Sequence, residues 1–427
     1  MANEHIERFR LQDKGFFQFL VPLFFICVSF YALPWYVTLL LSVGMLLAAD
    51  EAYLLAVFAG LAFFNIMNVK GVPFWASLIT SYVALGIVMG RIGVLKKRVP
   101  ATLFISAFLL LFIVLSFTFK TVGEYYLMTG VKSSLQLIFL LLAIQVVTVV
   151  PDRFKATAKQ VFDKYFLPFI VFYLLCGAIF FDNEDRYGAA VGPQCLALEL
   201  ALALCYFNTS DRMGRGIQFF LLLPLFITGS RTYFILACLV LAYDYFRTAP
   251  RRIKFIILIN VVVIAGLVLF ILPYTDSRFN YTTETFAGSF WGRFRNYYQS
   301  IVLIREHPLT GNGMGSILRV LEGWQYREGF EYYKQKGDTT IIHNEYLRVL
   351  VELGILGLSV ILYGVVRVWR RLKSREAKYM LFVFLMASLV ENTLTLYTTG
   401  TLLIILLIAF SNVGPKEQSD IKNVLTS

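Results

Sequence analysis

The sequence predicts an all-α polytopic membrane protein of about 12–14 transmembrane helices, with one long extracytoplasmic loop containing short helices. Of the 427 residues, 58% are hydrophobic and only 15% charged, at a mean hydropathy of +0.69, which is more apolar surface than a water-soluble core can hide. Apolar runs near the roughly 20 residues that one crossing needs recur from Phe16 almost to the C-terminus. Basic residues fall in alternate short loops between those runs, the arrangement of orientation signals.

In order, the spans fall near 15–33, 35–50, 52–68, 72–90, 101–120, 133–150, 166–181, 194–207, 217–229, 232–246, 255–272, 343–366, 379–396 and 399–413. The first follows a polar head carrying Arg8, Arg10 and Lys14; no small-residue cleavage site succeeds it, so it reads as an uncleaved span. Grouped by position, residues 1–272 carry the first eleven helices, 273–342 an extracytoplasmic loop domain, 343–413 the C-terminal helices, and 414–427 a cytoplasmic tail.

With both termini inside, the clusters Arg91/Lys96/Lys97/Arg98, Arg153/Lys155/Lys159/Lys164, Arg212/Arg215, Arg247/Arg251/Arg252/Lys254 and Arg367/Arg370/Arg371/Lys373/Arg375/Lys378 all face the cytoplasm. The formal charge of +12 is thus divided among loops, and no nucleic-acid surface is expected. From Gly216 to Phe246 the chain goes out and back in fewer than the roughly 40 residues of two full crossings. The turn ITGSRTY is therefore expected below the outer surface, where irregular backbone lines a cavity, with Arg231 pointing into it.

In the outer loop, SFWGRFRNYYQSIVLIRE (Ser289–Glu306) repeats apolar residues at Phe290, Phe294, Tyr297, Ile301 and Ile304, the spacing of an amphipathic helix lying on the membrane domain. Pro308 and the run GNGMGS (311–316) end it. Cys27, Cys176, Cys195, Cys205 and Cys238 lie in apolar segments and read as packing residues, with no disulfide and no metal spacing. HExxH and clustered His/Cys ligands are missing from the sequence, so no metal site and no cofactor are expected.

Of three histidines, His5 is on the inner tail and His307 precedes a proline at a helix end, as a capping or solvated residue would. His343 sits beside Asn344 at the outer mouth of a span, where an imidazole is either a base for a sugar hydroxyl or a polar cap of the helix. Arginine at membrane depth costs at least about 2.5 kcal/mol, which singles out Arg231. Arg293 and Arg295 at the start of the surface helix, and Arg186, Arg278 and Arg305 elsewhere outside, are guanidinium groups able to grip phosphate in two places, or to pair with Asp185, Glu284 or Glu306.

Glu199, inside LALELALAL, and Glu391-Asn392 at the start of a later span are further intramembrane polar groups. Glu345, Arg348 and Glu352 share one stripe of the helix that follows His343 and read as an ion-pair ladder. The glycine run GNGMGS lacks a Walker lysine and reads as a turn or an anion nest.

The segments ITGSRTYF, GRFRNYYQSIVLIREHPLTGNGMGS and HNEYLRVLVELGILG, in that order over Thr228–Gly357, resemble the O-antigen ligase and polymerase superfamily. DRYGAAVGP in an outer loop agrees with it as well. The resemblance implies an inverting, metal-independent glycosyltransferase that takes a glycan from an undecaprenyl-pyrophosphate-linked oligosaccharide donor to a glycan acceptor. It would work in the lipid bilayer of the bacterial plasma (inner) membrane, with its active site on the periplasmic or extracytoplasmic side. His343, Arg293 and Arg231 would be catalytic, the arginines on the pyrophosphate and the histidine on the acceptor hydroxyl. Arg186, Arg295, Asn344 and Arg305 would bind substrate. The span count and the SRTYF turn favour a polysaccharide polymerase, which would act beside a chain-length regulator protein. A ligase passing the finished glycan to lipid A core is the alternative. A lipid-linked sugar flippase is a third reading, disfavoured because the unusual features gather in one half of the chain.

Overall fold

The computed structural model of the chain describes residues 14–64, 74–92, 124–180, 193–207, 212–248, 250, 259, 262–263, 283–318, 343–391, 393 and 398–413. Among the described residues there are thirteen α-helices and no strand. They are α1 (Val21–Ala32, entered through a π-helical turn Phe16–Leu20), α2 (Trp35–Ala48), α3 (Leu54–Phe63), α4 (Phe74–Arg91), α5 (Glu124–Val149), α6 (Asp152–Phe180), α7 (Pro193–Tyr206), α8 (Arg212–Ile227), α9 (Arg231–Thr248), α10 (Thr283–Glu306), α11 (Glu345–Arg371), α12 (Arg375–Ala387) and α13 (Thr398–Ser411). Gly130–Val149, Asp152–Ile179 and Glu345–Arg371 are long and apolar enough to cross a membrane, and seven shorter apolar helices of 10–17 residues accompany them. The all-α polytopic membrane architecture stands.

The bundle is centred on α7, buried from Cys195 to Tyr206 with Glu199 included, and packed against α8, α9, α12 and α13. On the N-terminal side, Phe19, Phe63, Phe162, Phe166, Phe169 and Tyr173 meet mostly edge to face, the arrangement aromatic quadrupoles favour. The five cysteines are free, four of them buried.

Several span boundaries differ from expectation: α5 starts at Glu124, ahead of 133, and two other shifts have a visible cause. Helix α6 starts at Asp152, well before 166, because DRFKATAKQVFDK forms an ion-paired amphipathic lead-in: Lys155 meets Asp152 at 2.9 Å and Lys159 meets Asp163 at 3.2 Å. Helix α12 stops at Ala387, short of 396, where Ser388 turns its hydroxyl back to the Phe384 carbonyl and also meets Thr393. The expected span 101–120, nearly all of 255–272 and much of the 273–342 loop lie outside the described residues.

Helix α11 is broken. Gly354 has φ 66° and ψ −169° in an otherwise helical run, which frees backbone groups on both sides of it. The segment after α10 fills the gap. Asn312 and Gly313 N–H donate to the Val351 and Glu352 carbonyls at 2.7 and 3.0 Å, while Ile355 and Leu356 N–H donate to Pro308 and Leu309 at 2.9 and 3.2 Å. Two carbonyls before the break and two amides after it are thus paired, as buried backbone requires. The fit needs two glycines, since a Cβ on Gly311 would sit 2.5 Å from the Glu352 carbonyl and one on Gly354 would collide with Leu309. Gly354→Ala should therefore cost at least the roughly 1–3 kcal/mol of a side chain forced into backbone space open essentially to glycine alone. A lower unfolding temperature of the solubilised protein is the expected reading, and an unchanged one would mean that the break tolerates a side chain.

Candidate active site

Helices α8 and α9, of 16 and 18 residues, are about 24 and 27 Å long at ~1.5 Å per residue, short of a bilayer core of about 30 Å. Their turn is tight: Thr228 Oγ1 donates to the Leu225 carbonyl at 2.7 Å and accepts from Ser230 N–H at 3.3 Å, and Gly229 has φ 68°. Arg231 follows as the first residue of α9, half-buried, where the positive end of the helix dipole adds to its charge.

At the other end of α9, Asp244 is fixed to α12 by Arg375 Nη1 at 2.8 Å and Tyr379 Oη at 3.1 Å. This latch makes α9 and α12 antiparallel neighbours. Thirteen residues of α9 from Asp244 to Arg231 and twelve of α12 from Arg375 to Ala387 rise about 20 and 18 Å respectively. Arg231 is thereby brought to the end of the bundle where α12 gives way to Ser388–Glu391.

That same end receives the start of α11. Glu345 N–H donates to the Ser388 carbonyl at 2.8 Å, and Tyr346 Oη donates to the Leu385 carbonyl at 3.0 Å. Asn344 is the N-cap, its Oδ1 accepting from Leu347 N–H at 3.0 Å. One residue earlier, His343 adopts φ 55°, the sole positive φ of a non-glycine among the described residues. Its Nδ1 lies 3.2 Å from Glu391 Oε2. The carboxylate is buried, with a side-chain exposure of 7%, whereas the imidazole keeps 22%. A buried acid thus grips one ring nitrogen while part of the ring stays accessible.

Helix α10 lies across the N-terminal half of α11, with Tyr297 and Ile304 packed on the cluster of Leu303, Ile317 and Val351. Ile301, assigned to that face from its spacing, is exposed; Ser300 is the residue turned inward, fully buried with its hydroxyl on the Asn296 carbonyl. The side chains of Phe290 and Phe294 lie outside the described residues. Tyr297 Oη donates to the His343 carbonyl at 3.3 Å. Burial raises this phenol above its ordinary range; the Arg293 guanidinium pulls it down and the Glu391 carboxylate adds to the rise. Tyr297 thus feels the Arg293 and Glu391 charges while its hydroxyl touches the His343 carbonyl.

The stripe below His343 is an ion-pair ladder, as expected. Arg348 is buried between Glu345 at 4.0 Å and Glu352 at 3.4 Å, and donates to Ser133 Oγ of α5 at 2.8 Å. Glu352 Oε1 also accepts from Gly315 N–H at 2.9 Å, so that amide of the GNGMGS run serves the chain's own carboxylate. His307 is exposed, with its carbonyl accepting from Gly311 N–H, which fits the solvated reading.

Of the sequence-selected residues, His343 is contacted by Tyr297, one turn from Arg293 on α10, and the α9–α12 latch sets Arg231 toward the same end of the bundle. Asn344 commits its side-chain oxygen to the helix cap. Arg305 is exposed in the last turn of α10, three turns beyond Arg293. Arg186 and Arg278 lie outside the described residues, as does the side chain of Arg295. Glu391 and Tyr297 were not selected as site residues. The first read only as an intramembrane acid and the second as one apolar position of a helix, because nothing local in sequence pairs either with His343, 48 and 46 residues away.

Among the described residues no group of His, Cys, Asp and Glu could hold a metal ion. Residues 217–362 match the O-antigen ligase family, a stretch that runs from α8 into α11 and encloses Arg231, Arg293 and His343. The match supports the O-antigen ligase and polymerase superfamily, to which the motifs pointed. No curated protein matches the chain.

Proposed function

With its 217–362 segment in the O-antigen ligase family, the chain is a membrane protein for which we propose the role of a polysaccharide polymerase. It would transfer glycan repeat units from undecaprenyl pyrophosphate to an acceptor sugar hydroxyl on the outer side of the plasma membrane. The observation that carries the reading is the His343–Glu391 pair at 3.2 Å, with Tyr297, one turn from Arg293, on the His343 carbonyl. An ionised carboxylate only accepts hydrogen bonds, so Glu391 would keep the proton on Nδ1 and leave Nε2 as the basic nitrogen. Nε2 would take the acceptor hydroxyl proton as its oxygen attacks the anomeric carbon. The bond from that carbon to the phosphate oxygen breaks, and its electron pair leaves with undecaprenyl pyrophosphate. Arg231 and Arg293 would stabilise the charge gathering on that leaving group. One displacement inverts the anomeric centre and needs no covalent nucleophile.

A ligase that moves a finished glycan to lipid A core is the second reading, favoured by the description of the matched family. Deleting the gene and resolving the surface glycan on a gel separates the two. Loss of a polymerase leaves a single repeat on the final acceptor; loss of a ligase leaves long chains on the lipid carrier. An unchanged ladder and an unchanged lipid-linked pool would remove both.

A further inference from the structure

We propose that Tyr297 is a positioning residue: its hydroxyl holds the His343 peptide in its left-handed conformation and keeps the Arg293-bearing helix in register with the imidazole. The proposal rests on the reading of His343 as the general base.

Residues with a Cβ adopt positive φ only where the surroundings hold them there, and His343 at φ 55° is held from three directions. Glu391 grips the ring at 3.2 Å and Asn344 fixes the next residue by capping α11. The carbonyl is held by Tyr297 Oη at 3.3 Å. The first two restraints come from the chain around α11 and α12. Tyr297 is the restraint that arrives from α10.

Its phenol ring is seated against Leu303, Ile317 and Val351, so the hydroxyl is presented on an arm that cannot swing freely. Arg293 lies one turn earlier on the same helix, about 6 Å along its axis. The orientation of the 343–344 peptide also sets the direction of the His343 Cα–Cβ bond. Without the hydroxyl, the peptide is free to relax toward negative φ, which re-aims the imidazole away from a geometry common to it and Arg293. A displacement needs both partners in place at once, and a misplacement of about 1 Å is enough to slow it strongly.

The test is Tyr297→Phe in the full-length protein, which keeps the ring and removes only the oxygen. In membranes of the native host, the rate of glycan product formation should fall about tenfold, or roughly 1.4 kcal/mol. Affinity of the solubilised protein for undecaprenyl pyrophosphate should stay within about twofold, because a group that acts through His343 does not bind the leaving group. Carbethoxylation of His343 by diethyl pyrocarbonate, followed by peptide mass spectrometry, should change at least about threefold while that of exposed His307 does not.

A wild-type rate with wild-type His343 reactivity overturns the proposal. So does a parallel loss of undecaprenyl pyrophosphate affinity, which would make Tyr297 a donor ligand, or an equal change at both histidines, which would mean a general loss of fold. If His343→Ala retains product, the general-base reading fails on its own, and the reactivity of His343 in Tyr297→Phe still decides the positioning role.

Discussion

Replacing His343 by alanine should lower product formation by roughly two to four orders of magnitude, the usual contribution of a placed general base. The reason lies in the division of labour at the site. An acceptor hydroxyl is a poor nucleophile until its proton has somewhere to go, and in the proposed mechanism His343, partly accessible and held by a buried carboxylate, would be the base that takes it. The arginines would remain, so some transfer would persist through leaving-group stabilisation alone. His343→Gln, which can still donate to Glu391, controls for loss of the buried contact and should be as inactive as alanine. Glu391→Gln should fall between wild type and His343→Ala, because it keeps the contact but no longer dictates which nitrogen carries the proton. The measurement is the glycan ladder together with the lipid-linked pool, normalised to protein found in the membrane. A carrier would keep delivering lipid-linked sugar in the His343 variant; full product from both His343→Ala and Arg231→Ala would sink the mechanism.

How far this site could be read without coordinates depended on the range of the interactions involved. Arg231 and His343 were legible because each breaks a local rule, one as an arginine in a hairpin too short to cross twice, the other as a histidine at the mouth of a span. The Glu345/Arg348/Glu352 ladder was legible because its spacing is fixed by the helix. Glu391 was visible as an intramembrane acid, but its partner lies across a helix hairpin and no period connects them. The break at Gly354 was hidden for a related reason: LVELGILG is an unremarkable apolar stretch, and the kink exists only because the 308–313 segment supplies the missing hydrogen bonds. The early start of α6 and the early end of α12 were missed because hydropathy reports where a run is apolar, whereas helix ends are set by ion pairs and turning hydroxyls.

The ladder below His343 carries the largest expected effect on stability. Arg348→Ala removes the cation between two buried carboxylates, Glu345 and Glu352, and removes the donor to Ser133. Breaking a buried pair from one side typically costs about 3–5 kcal/mol, since the charge left behind has lost both water and its partner. Removing Arg348 leaves two buried carboxylates without the cation between them. The loss should appear as a lower unfolding temperature of the solubilised protein and as less protein in the membrane. It should reach product formation too, because Glu352 is tied to Gly315 of the segment that seals the helix break, and Glu345 N–H anchors the start of α11 to Ser388, two residues after His343. Combining Arg348→Met with Glu345→Gln and Glu352→Gln should recover most of the stability, since a neutral buried stripe no longer demands a counter-charge. If Arg348→Ala alone were as stable as wild type, the carboxylates would have to be satisfied by something other than this arginine, and the ladder would not be what holds His343 at the mouth of the bundle.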